Sequence, residues 1–299
     1  MYNEDENTLI FINYEETIDL KSFLKDKGLS GRMISKALRS GEIKINSNSC
    51  KGKDIVNKGA RVYFRMEEED SDMMPQKMDL EILFEDLDIL VLDKKPFILV
   101  HPTPNHPEGT LSNGVAYYFI EKGIKRKVRI LNRLDRDTSG VIVFAKNPYG
   151  HQQLAGQMEK GSIEKKYLAV VHGIVKSDSG LIDLPLGKHE DGIRQTVRKD
   201  GLQALTKYRV MERMQDSTLL ELELVTGRTH QIRVHLSHIG HPIMGDNLYS
   251  EMEAPIDRQA LHAYSLSFYT PRSGECVNIK TDMPEDMKKL IRLLKISKY

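Results

Sequence analysis

The stretch Leu131–Lys146, LNRLDRDTSGVIVFAK, constrains this chain more than any other. Its run Val141-Ile142-Val143-Phe144-Ala145 has no polar alternation and reads as a strand buried on both faces. Just before it stand Arg133-Leu134-Asp135 and then Asp137-Thr138-Ser139-Gly140. These are turn residues: short polar side chains that bond the local backbone, then a glycine free to take positive φ. A turn at the mouth of a buried strand can hold a carboxylate at the edge of a cleft. An aspartate there also commonly does no more than cap its turn, so the rest of the chain has to decide.

The 299 residues suggest about two domains. A hydrophobic fraction of 39% with 29% charged residues is that of an ordinary soluble globular protein. No apolar run approaches the roughly 20 residues of a membrane span. The start, MYNEDENTLI, is acidic and lacks the basic and apolar regions of a signal peptide. Cys50 and Cys276 form neither a disulfide framework nor a zinc pattern, which points to the cytoplasm.

The net charge of +1 hides an asymmetry. Residues 1–16 hold five acids and no Lys or Arg, whereas residues 17–66 hold twelve Lys and Arg against four Asp and Glu. A compact basic block on a near-neutral protein suggests a module that binds a polyanion. Within it, apolar spacing predicts a helix over Ile18–Leu24 ended by Gly28. A second, capped by Ser30, carries Met33, Ile34, Ala37 and Leu38 on one face and is stopped by Gly41. Ile43–Asn46 and Arg61–Phe64 read as short strands. Arg32, Lys36 and Arg39 are then surface cations of the kind that neutralise phosphates. The acidic run Glu67–Asp72, followed by Met73-Met74-Pro75, reads as a flexible linker over 67–79.

From residue 80 onward strands dominate: Leu80–Phe84, Ile89–Leu92, Lys165–His172, Thr218–Val225 and Leu261–Tyr269. Helices are expected over Thr110–Phe119, Pro148–Lys160, Thr229–Ile239 with Thr229 as cap, and Met283–Ile296. Residues 187–203 read as a mobile loop or hairpin. His230, His235, His238 and His241 cluster, but no cysteine is near and no His-Glu-x-x-His occurs, so metal binding has little motif support. Gly-x-Ser-x-Gly, phosphate-cradling and dinucleotide glycine motifs are absent as well. The chemical inventory is an acid, an aromatic and an arginine, with no cofactor.

Two resemblances join these pieces. LKSFLKDKGLSGRMISKALRSGEIKIN resembles the RNA-binding domain named after ribosomal protein S-four, which implies RNA as partner. NRLDRDTSGVIVFAK, KKYLAVVHG, LVTGRTHQIRVHLSHIGHPIMGDNLY and QALHAYSLSF, in that order, resemble the RluA-type pseudouridine synthase family. The resemblance implies an α+β body: a mixed, mainly antiparallel sheet with flanking helices around a central RNA-binding cleft. The basic block would add a small α/β RNA-binding domain in front. It implies Asp135 as the catalytic aspartate, Tyr167 as the active-site tyrosine and Arg233 as the arginine paired with the aspartate. Leu261 would be the apolar residue against the base. Arg133 and Arg228 at the cleft, with Arg32, Lys36 and Arg39 of the basic block, complete the expected substrate contacts. The sequence departs from the family at Asn132, usually histidine, and at Phe97-Ile98, usually a small residue and glycine.

The residue types suit the implied chemistry. Pseudouridine formation breaks the uracil–ribose C–N bond and joins the ribose to carbon five of the base, with no redox step or energy input. A carboxylate can act as nucleophile toward the sugar or assist departure of uracil. It must stay charged in a cleft that excludes water, which a neighbouring guanidinium favours. Tyr167 can stack on the extruded base or help remove the carbon-five proton. The expected substrate is structured ribosomal RNA of the large subunit, handled by a monomer whose cleft admits a large folded RNA. A non-catalytic RNA-binding factor is the rival from another class. A glycosidase would need a second acid, for which Asp137 is too close in sequence.

Overall fold

The computed structural model describes residues 4–296. Its first unit holds β1 (Thr8–Ile12), α1 (Leu20–Asp26), α2 (Gly31–Ser40), β2 (Ile43–Ile45) and β3 (Arg61–Arg65). Both helices begin where a side chain can take up a free amide. Asp19 accepts from the Ser22 amide at 3.1 Å, and Ser30 from that of Met33 at 3.3 Å. Gly41 ends α2 in the left-handed region. Ile34 and Ala37 are buried, while Arg32, Lys36 and Arg39 stay exposed. β2 and β3 pair antiparallel with Ile43 opposite Phe64. The composition of residues 1–16 sets them apart as an acidic segment, yet Thr8–Ile12 within it pairs along the other edge of β3 and buries Leu9. Counting charge over that segment hides the apolar run Leu9-Ile10-Phe11-Ile12 that makes the strand.

The larger body contains β4 (Ile82–Glu85), β5 (Ile89–Lys94), α3 (Leu111–Glu121), β6 (Ser139–Ala145), α4 (Pro148–Glu159) and β7 (Glu164–His172). It continues with β8 (Ser179–Asp183), β9 (Leu205–Arg213), β10 (Ser217–Leu224), α5 (Gln231–His238), β11 (Leu261–Tyr269), β12 (Cys276–Lys280) and α6 (Glu285–Ile296). The strands form one sheet in the order β8-β9-β10-β7-β11-β6-β5-β4, with β12 also on β11. Among the described residues β6 and β11 make its one parallel pairing, so the sheet is mixed but mainly antiparallel. All seven residues of β6 are buried. Val141 and Val143 pack with Ile89, Val91 and Leu154 of α4. Ile142 and Phe144 pack with Leu90, Leu92 and the helix residues Val115, Phe119 and Leu236. The unbroken apolar run is therefore required by cover on both faces, each such side chain contributing about 1.5–3 kcal/mol. Leu186–Lys188 and Gln195–Val197 pair as a hairpin. No helix among the described residues is long and apolar enough to cross a membrane.

The acidic run after residue 66 does not hang free as a flexible connection would. Glu67 pairs with Lys36 at 2.9 Å, Glu68 with Lys125 at 3.2 Å and Glu69 with Arg129 at 2.5 Å. Buried Arg126 donates to the carbonyls of Met66 and Glu67. From the larger body, Tyr149 at the start of α4 enters the core of the first unit beside Phe11. Cations in 125–129 decide where the acids lie, and a composition count of the run alone cannot see them.

Candidate active site

The turn before β6 is held from several sides. The Thr138 amide donates to the Asp135 carbonyl at 3.1 Å. Asn132 accepts from the Val143 amide at 2.9 Å and so tethers the turn to its own strand. Lys94 Nζ, buried at the end of β5, donates to the carbonyls of Arg136 at 2.8 Å, Ile98 at 2.9 Å and Lys95 at 3.0 Å. Arg258, also buried, donates to the Asp137 carbonyl at 3.0 Å and the Leu261 carbonyl at 3.2 Å while its other nitrogens grip Asp286. Two buried basic side chains thus satisfy the carbonyls of Arg136 and Asp137, the two residues that follow Asp135, where an unpaired buried carbonyl would be costly. Gly140 sits at φ 114, and a β-carbon there would lie 2.1 Å from the Ala263 carbonyl oxygen. Only glycine lets β6 approach β11 this closely, which brings Leu261 to the turn.

Arg233 reaches the turn from α5. The helix starts at Gln231 rather than at Thr229, with His230 at its N-cap, φ 54 and ψ 18, and no side-chain cap. The Gln231 side chain accepts from the Arg228 amide at 2.9 Å and the Thr226 hydroxyl at 2.8 Å, which ties the helix start to the turn before it. Arg233 Nη1 donates to Asp135 Oδ2 at 2.9 Å. Its Nε and Nη2 make a two-point pair with Asp246 at 2.8 and 2.7 Å. Asp246 is fully buried and is fixed in turn by the amides of Leu248 and Tyr249. Burial works against the guanidinium charge, but the Asp246 bonds and the Asp246 and Asp135 charges outweigh it and raise the Arg233 pKa. The Tyr249 ring lies under the guanidinium, 5.1 Å from its carbon.

Asp135 keeps 30% of its side chain exposed and opens on a cleft of about 710 Å³. Arg133, His101, His230 and Arg233 also line it. A recess of about 60 Å³ shares Asp135, Arg133, His230 and Arg233 and adds Tyr167, Leu261 and Arg228. The structure thus brings six of the nine expected site residues to one place. Arg32, Lys36 and Arg39 stand apart on α2. Burial, reinforced by the Asp135 charge, raises the Tyr167 pKa, so the phenol is protonated at neutral pH. Of the clustered histidines, His235 has both ring nitrogens within hydrogen-bonding distance of Thr206 and Leu184, at 2.9 and 3.0 Å. A carboxylate with one oxygen clamped by a cation, at the wall of an open cleft, is equipped to act on an electrophilic carbon or a departing base. Sequence reasoning missed Lys94, His230, Asp246, Tyr249 and Arg258 as parts of this site. Asp246 and Tyr249 stand in the quoted GDNLY motif and were there to be found. Lys94 and Arg258 carried no local signal.

The family model described as RNA pseudouridylate synthase matches residues 88–238, which span the Asp135 turn, Tyr167 and Arg233. The uncharacterized RNA pseudouridine synthase YlyB of Bacillus subtilis (strain 168) is 39% identical over 94% of each chain. The ribosomal large subunit pseudouridine synthase D of Xanthomonas campestris pv. campestris is 35% identical over 88% of this chain and 84% of that one. Among solved structures, human RNA Pseudouridylate Synthase Domain Containing 1 superposes with a TM-score of 0.58. It is 25% identical and covers 75% of this chain and 98% of that one. The family match and these relatives define an isomerase of the pseudouridine synthase class. The chain belongs to the RNA pseudouridine synthase family.

Proposed function

We propose that this enzyme converts specific uridines of large-subunit ribosomal RNA to pseudouridine, with Asp135 as the catalytic carboxylate and no cofactor. The observation that carries this reading is the array Asp135–Arg233–Asp246 at the wall of the open cleft. Arg233 holds Asp135 in its orientation through a charge-assisted hydrogen bond, and Asp246 keeps Arg233 in place. The target nucleotide leaves its stack at a cost of a few kcal/mol and enters beside Asp135. Tyr167 and Leu261 then flank the base, and Arg133 and Arg228 meet phosphates at the rim. The names of several relatives, which specify the large ribosomal subunit, support that substrate. The basic unit, with Arg32, Lys36 and Arg39 exposed on α2, adds RNA affinity outside the cleft.

Asp135→Asn is expected to abolish conversion while RNA binding persists. The check is a map of pseudouridines in large-subunit RNA from cells carrying the wild type, the variant or neither. A site that disappears with the gene and fails to return with the variant supports the assignment and names the target. Restoration by the variant would remove Asp135 from the chemistry.

A further inference from the structure

Among the described residues four non-glycine positions have positive φ: Asn46, Ser47, Phe97 and His230. Asn46 and Ser47 make the turn between Ile43–Ile45 and Asn48–Ser49. His230 is different, because its left-handed backbone turns an imidazole into the catalytic cleft. Its Nδ1 lies 2.8 Å from the Tyr249 hydroxyl, and the two rings meet edge to face. That hydroxyl already accepts the Gln195 amide at 2.8 Å. With that amide on the oxygen, the arrangement that satisfies all three groups within the protein has the hydroxyl give its own proton to Nδ1. Nδ1 is then an acceptor and the ring proton sits on Nε2. Burial lowers the His230 pKa, against the pull of Asp135, and keeps the ring neutral. Nε2 faces Asp135 Oδ2 at 3.9 Å, too far for a hydrogen bond. The same oxygen is already taken by Arg233. A fixed donor is therefore left unspent beside the reacting carboxylate, where a base entering the cleft must lie.

We propose that His230 is a further catalytic residue whose Nε2–H donates to a carbonyl oxygen of uracil as the base separates from its sugar. The inference rests on the pseudouridine synthase reading and deepens it. When the C1′–N1 bond breaks, its electron pair stays with the uracil and spreads over N1 and the two carbonyl oxygens. His230 keeps its proton throughout and only donates a hydrogen bond to that charge. The same ring electrons then form the C5–C1′ bond. The carbon-five proton then passes to solvent water, N1 takes a proton from solvent water in return, and uracil ends with its atoms unchanged. A donor preset against charge that develops only in the transition state acts on kcat rather than on substrate affinity. Tyr249 sets the tautomer and is a positioning residue.

The test compares wild type, His230→Gly and His230→Asn on unmodified large-subunit RNA transcript and on the same transcript made with 5-fluorouridine. Glycine accepts φ 54 without strain, so it removes the imidazole and leaves the turn. Asparagine tolerates the same backbone and keeps an N–H donor. With uridine, His230→Gly is expected to lose about 100-fold in kcat at little change in KM, the scale of one deleted transition-state donor. His230→Asn falls between it and wild type. Fluorine at carbon five stabilises the departing base anion, so the loss measured as 5-fluorouridine rearrangement should be markedly smaller. Equal losses on both substrates would assign His230 a purely structural role, and a loss below about threefold would remove it from the reaction. Wild type that converts no uridine would overturn the synthase reading itself, and this inference with it.

Discussion

Lys94 shows how much of this site depends on one side chain that never meets substrate. Its ammonium has three donors, and three carbonyls, of Lys95, Ile98 and Arg136, take them. Burial nevertheless disfavours the charge, and with Arg258 and Arg136 also opposing it the pKa falls to about 7, despite Asp137 and Asp135 nearby. The unfolded chain has the ordinary value of 10.5. Between these values the unfolded state binds more protons than the folded one, so stability contributed through Lys94 rises with pH over that window. Below pH 7 both states are protonated and the full penalty of the buried charge applies. Lys94→Met removes the titration and leaves three carbonyls unsatisfied. The gap in unfolding free energy between wild type and variant is expected to widen from pH 6.5 to pH 9.5, measured by urea titration at each pH. A gap that stays constant would mean that the ammonium does not lose its proton in the folded state.

At the scale of elements, the close crossing of β6 and β11 decides where Asp135 and Leu261 meet. Gly140→Ala places a methyl group against the Ala263 backbone, which cannot turn aside as a side chain would, and at a left-handed φ as well. It is expected to destabilise the fold by about 3 kcal/mol, read from the denaturation midpoint, and to lower activity by separating the two strands. Gly140 was legible as a left-handed turn residue because Asp-Thr-Ser-Gly is local chemistry. The buried strand after it, the Ser30 cap and the Gly41 stop were legible for the same reason: a few neighbouring residues determine each. Thr8–Ile12 was not, since its apolar run was counted within an acidic segment and its partner strand lies fifty residues on. Nor was the role of Arg258, which acts on a carbonyl 121 residues away. The Asp135 turn and Arg233 were marked out by motif, but the second carboxylate that steadies Arg233 was visible only as part of GDNLY.

Across the whole molecule, contacts between the two units fix how the basic face of α2 stands relative to the cleft. Arg272 joins buried Asp88 of the larger body to the Thr8 and Asp5 carbonyls of the first unit, and Tyr149 fills that unit's core. An RNA that enters the cleft and also reaches α2 is therefore held by two rigidly related surfaces. On α2, Arg32 and Arg39 are exposed, whereas Lys36 is engaged by Glu67. Replacing Arg32 and Arg39 together by Gln should leave the melting temperature unchanged, because exposed charges contribute little to stability. If each meets one phosphate, the slope of log affinity against log salt becomes shallower by about 1.4 to 1.8. Turnover at saturating RNA should not change. Glu67→Gln releases Lys36 and should shift the slope the other way. Titration of large-subunit RNA fragments at several salt concentrations reads the slope for each variant, thermal denaturation its melting temperature and pseudouridine formation its turnover. A slope unmoved by the arginine pair would mean that RNA bound in the cleft passes α2 without touching it.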